Sequence, residues 1–445
     1  MIPVFGEKEY NEAVRLYSPE AIAREAVAMM ESHDREVLVV YDDSLCGQVG
    51  QAIARLLLEA GVSCRSIHAF LESLPKTFSG LILDCLMEQR EEAPALIDAM
   101  EGLACPIISL FIPYGLSLNN GFVCSKAVHA QSTLSFGGCL QGLFLGEGLA
   151  HCGQIVPFCS MHQETILHLP QWFSQEDARR CLPPRKRTAH KGTSGKALLC
   201  VGSPEYVGAA ILACKACLAA GCGILYAACP QIVRQALFAL PEAITIAVGE
   251  EWSMDAAAVA AKAMENKTAI GIGCGLGKGE FGPLLEAALR LQVPMVLDAD
   301  GINYVSRHRE LYSLLHEKVI LTPHPGEMSR LTGTPIAAIA DDPIGSASSF
   351  ANKWNCTVLL KGTATVVSDG KQTRIIAEGN AGLAKGGSGD VLTGIITGLL
   401  AQGIGTLDAA CLGSWLLGVS ADEAMQLLGE RMLRATNVIE ALEQI

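Results

Sequence analysis

The stretch Gly379 to Ala401, GNAGLAKGGSGDVLTGIITGLLA, constrains the fold more than any other. Its second half carries an apolar helical pattern too rich for a surface helix, so other elements must enclose it. Its first half is a glycine run, Gly386, Gly387, Ser388 and Gly389, that closes on Asp390 where the helix begins. Glycines let successive backbone N–H groups converge on one point and let a ligand come close. The first helical turn adds unpaired N–H groups and the positive end of the dipole, so the spot suits a phosphoryl group. Asp390 then stands where an attacking hydroxyl would lose its proton. The plain alternative is a tight turn whose Asp only caps the helix.

A chain of 445 residues is long for one core, so two domains are expected. In the first, SPEAIAREAVAMMES from Ser18 predicts a capped helix. Strands are predicted at 36–41, 63–70, 81–86 and 107–112, with a loop before a helix at 51–60. Strands alternating with helices form a parallel sheet covered on its faces, so the fold class is α/β and residues 1–165 form a Rossmann-like domain. Between 166 and 189 the pattern lapses among prolines and basic residues (Arg179, Arg180, Arg185, Lys186, Arg187), which predicts a linker. Residues 190–445 form the second α/β domain. Its strands are expected at 197–202, 224–228, 268–273, 294–297, 319–321 and 357–361, followed by a hairpin turning at Asp369 and Gly370. The glycine-rich and charged loops all follow strand ends, the edge of an open α/β sheet where ligands bind.

The 33 Lys and Arg against 46 Asp and Glu give a net charge of −13 and a pI near 5.3. That balance speaks against nucleic acid or an anionic membrane as the main partner. The 17 cysteines are scattered through apolar runs with no signal peptide ahead of them, which predicts a reduced, cytoplasmic protein. Two apolar tracts, 209–230 and 391–407, approach membrane-span length. Lys215 and paired glycines interrupt them, so buried helices are expected instead. The apolar, Ala-rich composition predicts a homo-oligomer.

Further motifs carry chemistry. GIGCGLGKGEFG holds G-x-G-x-x-G at Gly277, Gly279 and Gly282, with Asp298 or Asp300 after the next strand, the layout of a dinucleotide fingerprint. This supports a rival reading, an NAD-dependent oxidoreductase. TPHPGE sets His324 between two prolines in a stiff loop, as a ligand contact or simply as a turn before a helix. LKGTATVV ends a buried strand in Lys361, then Gly362, Thr363, Ala364 and Thr365, offering an ammonium and hydroxyls to a nucleotide. HKGTSGK lacks the P-loop spacer and precedes a strand where a P-loop needs a helix. Cys214 and Cys217 are spaced C-x-x-C without a second pair, so they read as small buried hydrophobes rather than zinc ligands.

Taken together, HKGTSGKALLCVGS, YVGAA, GCGLGKGE, VLDADGIN, LTPHPGEM, LKGTATVV and the glycine run resemble the ADP-dependent NAD(P)H-hydrate dehydratase family, which is ribokinase-like. The resemblance covers residues 190–445. It implies that Asp390 is the catalytic carboxylate and also meets substrate. It further implies that Lys361 to Thr365 and Gly386 to Gly389 hold the nucleotide, and that Ala209, Gly275 or Gly277, and His324 contact the hydrated dinucleotide. The implied phosphoryl donor is ADP, with ATP as an alternative, together with Mg2+; no metal ligand is assigned. The implied substrates are NADH-hydrate and NADPH-hydrate, and a kinase of a small alcohol on the same scaffold is the runner-up. At the C-terminus Asn437 stands where the family has an Asp, on a helix expected to lie away from these loops.

The first domain resembles the NAD(P)H-hydrate epimerase domain fused ahead of such dehydratases, in VLVVYDDSLCGQVGQAIARLLLEAG, LILDCL, IPYG and VHAQSTLSFGG. Its chemistry is expected to be lost. SLCGQVG, Ser44 to Gly50, replaces a loop of asparagines, glycines and an aspartate; Phe111 and Gln131 replace acidic residues, and only Asp84 remains. The competing expectation is a rebuilt site on Asp84, Glu88 and Lys126.

Overall fold

Short apolar strands alternating with helices pair in parallel, with the helices covering both faces of the sheet, and the main sheet of each half is built this way. The computed structural model describes residues 2–14, 18–30, 37–41, 45–59, 64–65, 78, 80–87, 93–158, 169–182, 187–188, 191–192 and 194–445. Contacts divide the chain into two units, Met1–Trp172 and Phe173–Ile445. Within the stretch read as a linker, Gln175–Cys181 is a helix of the second unit, started by a capping box between Ser174 and Asp177. Residues 183–186 and 189–190 lie outside the described residues.

The first unit contains β1 (Ile2–Phe5), β2 (Val37–Tyr41), β3 (Cys64–Arg65), β4 (Leu81–Cys85), β5 (Ile107–Leu110), β6 (Ser132–Phe136), β7 (Cys139–Leu140), β8 (Gln154–Phe158) and β9 (Gln171–Trp172). Its main sheet has the order β3-β2-β4-β5-β6-β8, parallel throughout. The direction of winding reverses between β2 and β4, the crevice where doubly wound folds bind ligands. The helix Leu45–Glu59 begins earlier than the sequence predicted, so the expected loop at Ser44 to Gly50 is helical from Leu45 onward. The apolar series Val49, Ile53 and Leu57, all buried, carries the helical spacing back through this segment. Gly50 sits so tightly on the strand ends that a Cβ there would lie 2.7 Å from the Cys85 Cβ and 2.8 Å from the Tyr41 Cβ.

The second unit contains β10 (Lys196–Cys200), β11 (Ile224–Cys229), β12 (Ala243–Ala247), β13 (Ala269–Ile272), β14 (Met295–Leu297), β15 (Val319–Leu321), β16 (Thr357–Leu360), β17 (Thr365–Ser368) and β18 (Thr373–Ile376). They run in the order β12-β11-β10-β13-β14-β15-β16-β17-β18. All pairs from β12 to β16 are parallel, and the last two strands turn back antiparallel. The turn between β17 and β18 uses Gly370 at φ 84°. The winding reverses between β10 and β13. The edge strand β12 escaped the sequence reading because Ile244 and Ala247 are exposed and no clean alternation marks it.

The helix Ser388–Ala401 is buried at every position from Val391 onward. It packs on the helix Val207–Ala219 at backbone distance. A Cβ on Gly394 would lie 2.2 Å from the Ala213 carbonyl oxygen, and one on Gly398 2.7 Å from that of Cys217. Cys214 and Cys217, both fully buried, are part of the helix these glycines meet. Small side chains are what such an approach needs, so composition and helix contact explain each other. Among the described residues no helix is long and apolar enough to cross a membrane.

Candidate active site

Parallel strands bring all their carboxyl ends to one edge of the sheet, so residues far apart in sequence converge there. The Ser388–Ala401 helix points its N-terminus into this edge. Its N-cap is Gly387 at φ 101°, a conformation that suits glycine, and it has no side chain to cap with. The N–H groups of Ser388, Gly389 and Asp390 meet no acceptor among the described residues. The glycine run is thus an anion site by geometry, and Asp390 lies within its first turn.

Gly389 faces two side chains from other strand ends. A Cβ there would lie 3.3 Å from Asp298 Oδ2, after β14, and 3.7 Å from Lys361 Nζ, after β16. Lys361 Nζ donates to Asp298 Oδ1 at 2.9 Å and stands 4.0 Å from Glu327 Oε2. Thr322 Oγ1 donates to the same Asp298 oxygen at 2.7 Å. Burial alone would lower the Lys361 pKa, but Asp298 and Glu327 outweigh it and hold the ammonium charged. Asp390 is pushed up to about 6, first by burial and then by the charge of Asp298, while the Cys274 thiol and Lys361 pull the other way. A carboxylate poised there is a better proton acceptor than an ordinary Asp and is still ionised at neutral pH.

A second group gathers where the winding reverses. Gly273, Gly275 and Gly277 all have positive φ. A Cβ on Gly275 would lie 2.6 Å from the Tyr206 Cβ and 2.9 Å from the Ala209 Cβ, so Ala209 and Gly275 form one wall. Gly277 lies beside Ser203 and donates its N–H to Asp300 Oδ2 at 2.8 Å. This arrangement speaks against the dinucleotide fingerprint. Asp300 ties down the glycine loop, and Asp298 turns toward Lys361 and Gly389 rather than toward that loop. Gly279 and Gly282 are packing glycines, where a Cβ would run into Trp252 and Tyr304.

His324 is the N-cap of the helix Pro325–Thr332. Its Nδ1 accepts from Gly326 N at 3.0 Å, and its own N–H donates to Glu327 Oε2 at 2.9 Å. It is exposed, and the Glu327 that anchors it also faces Lys361. Gly362 and Thr363 are exposed, Thr365 is half-buried and Ala364 buried, and a Cβ on Gly386 would meet only open space. One expectation is corrected here. The C-terminal helix Ala435–Leu442 is not remote from the loops: a Cβ on Gly387 would lie 3.0 Å from the Ala435 Cβ, and Lys385 Nζ donates to the carbonyl of Leu433 at 2.7 Å. Asn437 there accepts from Arg434 N at 3.1 Å, a capping role that an Asp would fill equally.

The sequence singled out Asp390, Gly389 and Lys361, which the fold brings together with Ala209, Gly275 and Gly277 on the same sheet edge. It assigned no such role to Asp298, Thr322, Glu327 or Cys274. A carboxylate immediately after an apolar strand, as in VLDAD, was the available signal.

At the equivalent edge of the first unit, among the described residues, the carboxylate is enclosed. Asp84 is fully buried and accepts from Ser109 Oγ at 2.8 Å, Tyr114 N at 3.0 Å and Leu86 N at 3.2 Å. Phe111 holds φ 67°, an outlier for so bulky a residue, and packs edge-on against Tyr10 and Phe136. Lys126 pairs with Asp98, and Glu88 lies outside the described residues.

Residues 197–444 match a protein-family profile described as NAD(P)H-hydrate dehydratase. A bifunctional NAD(P)H-hydrate repair enzyme of Vibrio cholerae is 32% identical over 363 residues, covering 80% of this chain and 71% of its own length. Its Escherichia coli counterpart is 33% identical over 395 residues, covering 85% and 74%. Among solved structures, the ADP/ATP-dependent NAD(P)H-hydrate dehydratase of Bacillus subtilis, co-crystallised with ATP and Mg2+, is 30% identical with a TM-score of 0.54. It covers 62% of this chain and 97% of its own.

Proposed function

This chain belongs to the NAD(P)H-hydrate dehydratase family, and from that premise we infer that its second unit repairs damaged nicotinamide nucleotides, converting (6S)-NAD(P)H-hydrate to NAD(P)H at the expense of ADP. The observation that carries the reading is the convergence of Asp390, Lys361 and the unpaired N–H groups of the Ser388–Ala401 helix on one point. That constellation supplies a base, a cation and an anion hole within one phosphoryl's reach.

Hydroxide is a poor leaving group, so the hydrate's hydroxyl is first phosphorylated. Its oxygen attacks the terminal phosphorus of ADP, the bond to AMP breaks, and Asp390 takes the hydroxyl proton. The N–H groups of Ser388, Gly389 and Asp390, with Lys361, hold the transferring phosphoryl oxygens. The ring nitrogen's lone pair then expels phosphate, and loss of a proton from the adjacent carbon restores the dihydropyridine. Lys361, Gly362, Thr363, Ala364 and Thr365, with Gly386 to Gly389, are assigned to the nucleotide. Ala209, Gly275 or Gly277, and His324 are assigned to the hydrated dinucleotide. The nucleotide enters as its Mg2+ complex.

The first unit is assigned no epimerase activity, because Asp84 is engaged by three donors and Phe111 stands where the resembled epimerase family has an acid. The net charge of −13 supports the absence of nucleic-acid or anionic-membrane partners, the cysteines scattered through apolar runs support a reduced, cytoplasmic protein, and the apolar composition supports a homo-oligomer. Incubation with MgADP and NADH-hydrate tests the main reading. Reduced-nicotinamide absorbance should return with one AMP formed per turnover; no recovery, with phosphoryl transfer to another alcohol, would make the protein a small-alcohol kinase.

A further inference from the structure

Asp298 is a buried carboxylate next to an anion hole, which is an electrostatic oddity unless it serves the site. It occupies the N-cap position of the helix Ala299–Arg307 at φ −133° and ψ 164°, yet makes no capping hydrogen bond. Its side chain turns inward instead and is 2% exposed. Oδ1 takes both donors, Thr322 Oγ1 at 2.7 Å and Lys361 Nζ at 2.9 Å. Oδ2 meets no donor among the described residues and faces Gly389.

A lysine at a strand end is long and flexible, and freezing its rotamers costs entropy that a fixed partner must offset. Thr322, fully buried on the neighbouring strand end, orients the carboxylate, and the carboxylate orients the ammonium. The Lys361 ammonium makes one hydrogen bond among the described residues, and Glu327 at 4.0 Å is too far for a second. The remaining ammonium protons are available to phosphoryl oxygens. We propose that Asp298 is a positioning residue of this reaction: through Thr322 on one side and Lys361 on the other, it fixes the ammonium beside the first turn of the Ser388–Ala401 helix, where the transferred phosphoryl group passes. The proposal rests on the dehydratase reading of that site.

The charge of Asp298 also reaches the base. Asp390 is faced by Asp298 and Asp300 after β14, Cys274 after β13 and Lys361 after β16. Burial is the main influence on Asp390 and Asp298 the next, both raising its pKa. Removing the Asp298 charge therefore lets Asp390 ionise at lower pH, an effect that a purely structural residue would not produce.

The test is Asp298→Asn in the full chain, assayed with MgADP and NADH-hydrate from about pH 5 to about pH 8. The amide still accepts from Thr322 but loses the charge that holds Lys361. The kcat should fall about 30-fold while the KM for MgADP changes by less than about threefold, and the acidic limb should move to lower pH. In a Lys361→Met background the same substitution should cost almost nothing more, since its effect runs through the ammonium. A kcat within about twofold of wild type, or an equal loss in both backgrounds, overturns the proposal. Should Asp298→Asn fail to fold, Thr322→Val takes its place: a fall of about fivefold in kcat with the acidic limb unmoved supports the proposal, and an unchanged kcat overturns it. A wild-type protein inert towards the hydrate would sink the dehydratase reading alone. Acylation of Lys361 by acetic anhydride then decides the positioning claim: faster modification in Asp298→Asn supports it, and equal rates overturn it.

Discussion

The two units place the same kind of sheet edge in opposite conditions. In both, parallel strands end in carboxylates beside the point where the winding reverses. In the second unit Asp298 leaves one oxygen unpartnered, Asp390 stands half-buried in an open helical turn, and five positive-φ glycines, Gly202, Gly273, Gly275, Gly277 and Gly387, keep backbone close to the space in front. In the first unit Asp84 is fully buried and accepts from three donors, Gly50 presses on Tyr41 and Cys85, and Tyr10, Phe111 and Phe136 form an aromatic row. A doubly wound sheet does not by itself fix a site's chemistry; the side chains at its carboxyl edge do. Phe111 carries the contrast in one residue. Its φ of 67° is a conformation that Asp tolerates better than Phe, yet its side chain is buried in the aromatic row.

The comparison breaks most sharply at Asp390. Asp390→Asn keeps the size and removes the base, so turnover should fall by roughly 10²-fold or more while nucleotide still binds, measured by absorbance recovery and calorimetry. Near-normal turnover would reduce Asp390 to part of a helix start and make the two edges alike.

The converse change is Phe111→Asp. It relieves the backbone outlier but buries an acid among aromatic rings, and a net loss of about 2 kcal/mol is expected in chemical denaturation, without gain of epimerase activity. A variant that epimerises the hydrate would show that the first edge is one residue away from function and differs little from the second.

A smaller effect is expected from Gly389→Ala. The new Cβ would enter the space between Asp298 Oδ2 and Lys361 Nζ, so the KM for MgADP should rise about fivefold with a lesser change in kcat. Unchanged kinetics would place the phosphoryl group elsewhere.

The gentlest test is pH. With Asp390 held at about 6, and active only when ionised, kcat should climb as pH rises through about 6 and level off above it. A profile already flat from about pH 5 would mean that another group takes the proton.

Much of this was legible along the chain because its signals are local. The glycine run before an apolar helix, the Lys361 strand end and the Asp369–Gly370 hairpin each declare themselves within a few residues. The pairings that make the site work are not local: Asp298 meets Thr322 across 24 residues and Lys361 across 63. No spacing rule links them, and only the parallel order β14-β15-β16 brings them side by side. The same limit misplaced the C-terminal helix, whose approach to Gly387 depends on packing rather than on any motif. The loop expected at Ser44 to Gly50 failed differently. Its glycines read as a loop before the helix, while the buried series from Val49 follows helical spacing.

The most direct measurement takes the full chain, MgADP and the R and S epimers of NADH-hydrate, separated by chromatography and followed against an enzyme-free control. The S epimer should disappear at the enzymatic rate with matching AMP and reduced nicotinamide, while the R epimer declines only as fast as it converts spontaneously. Consumption of R as fast as S would mean that the first unit is a working epimerase. Survival of both epimers would mean that the second unit is not a dehydratase.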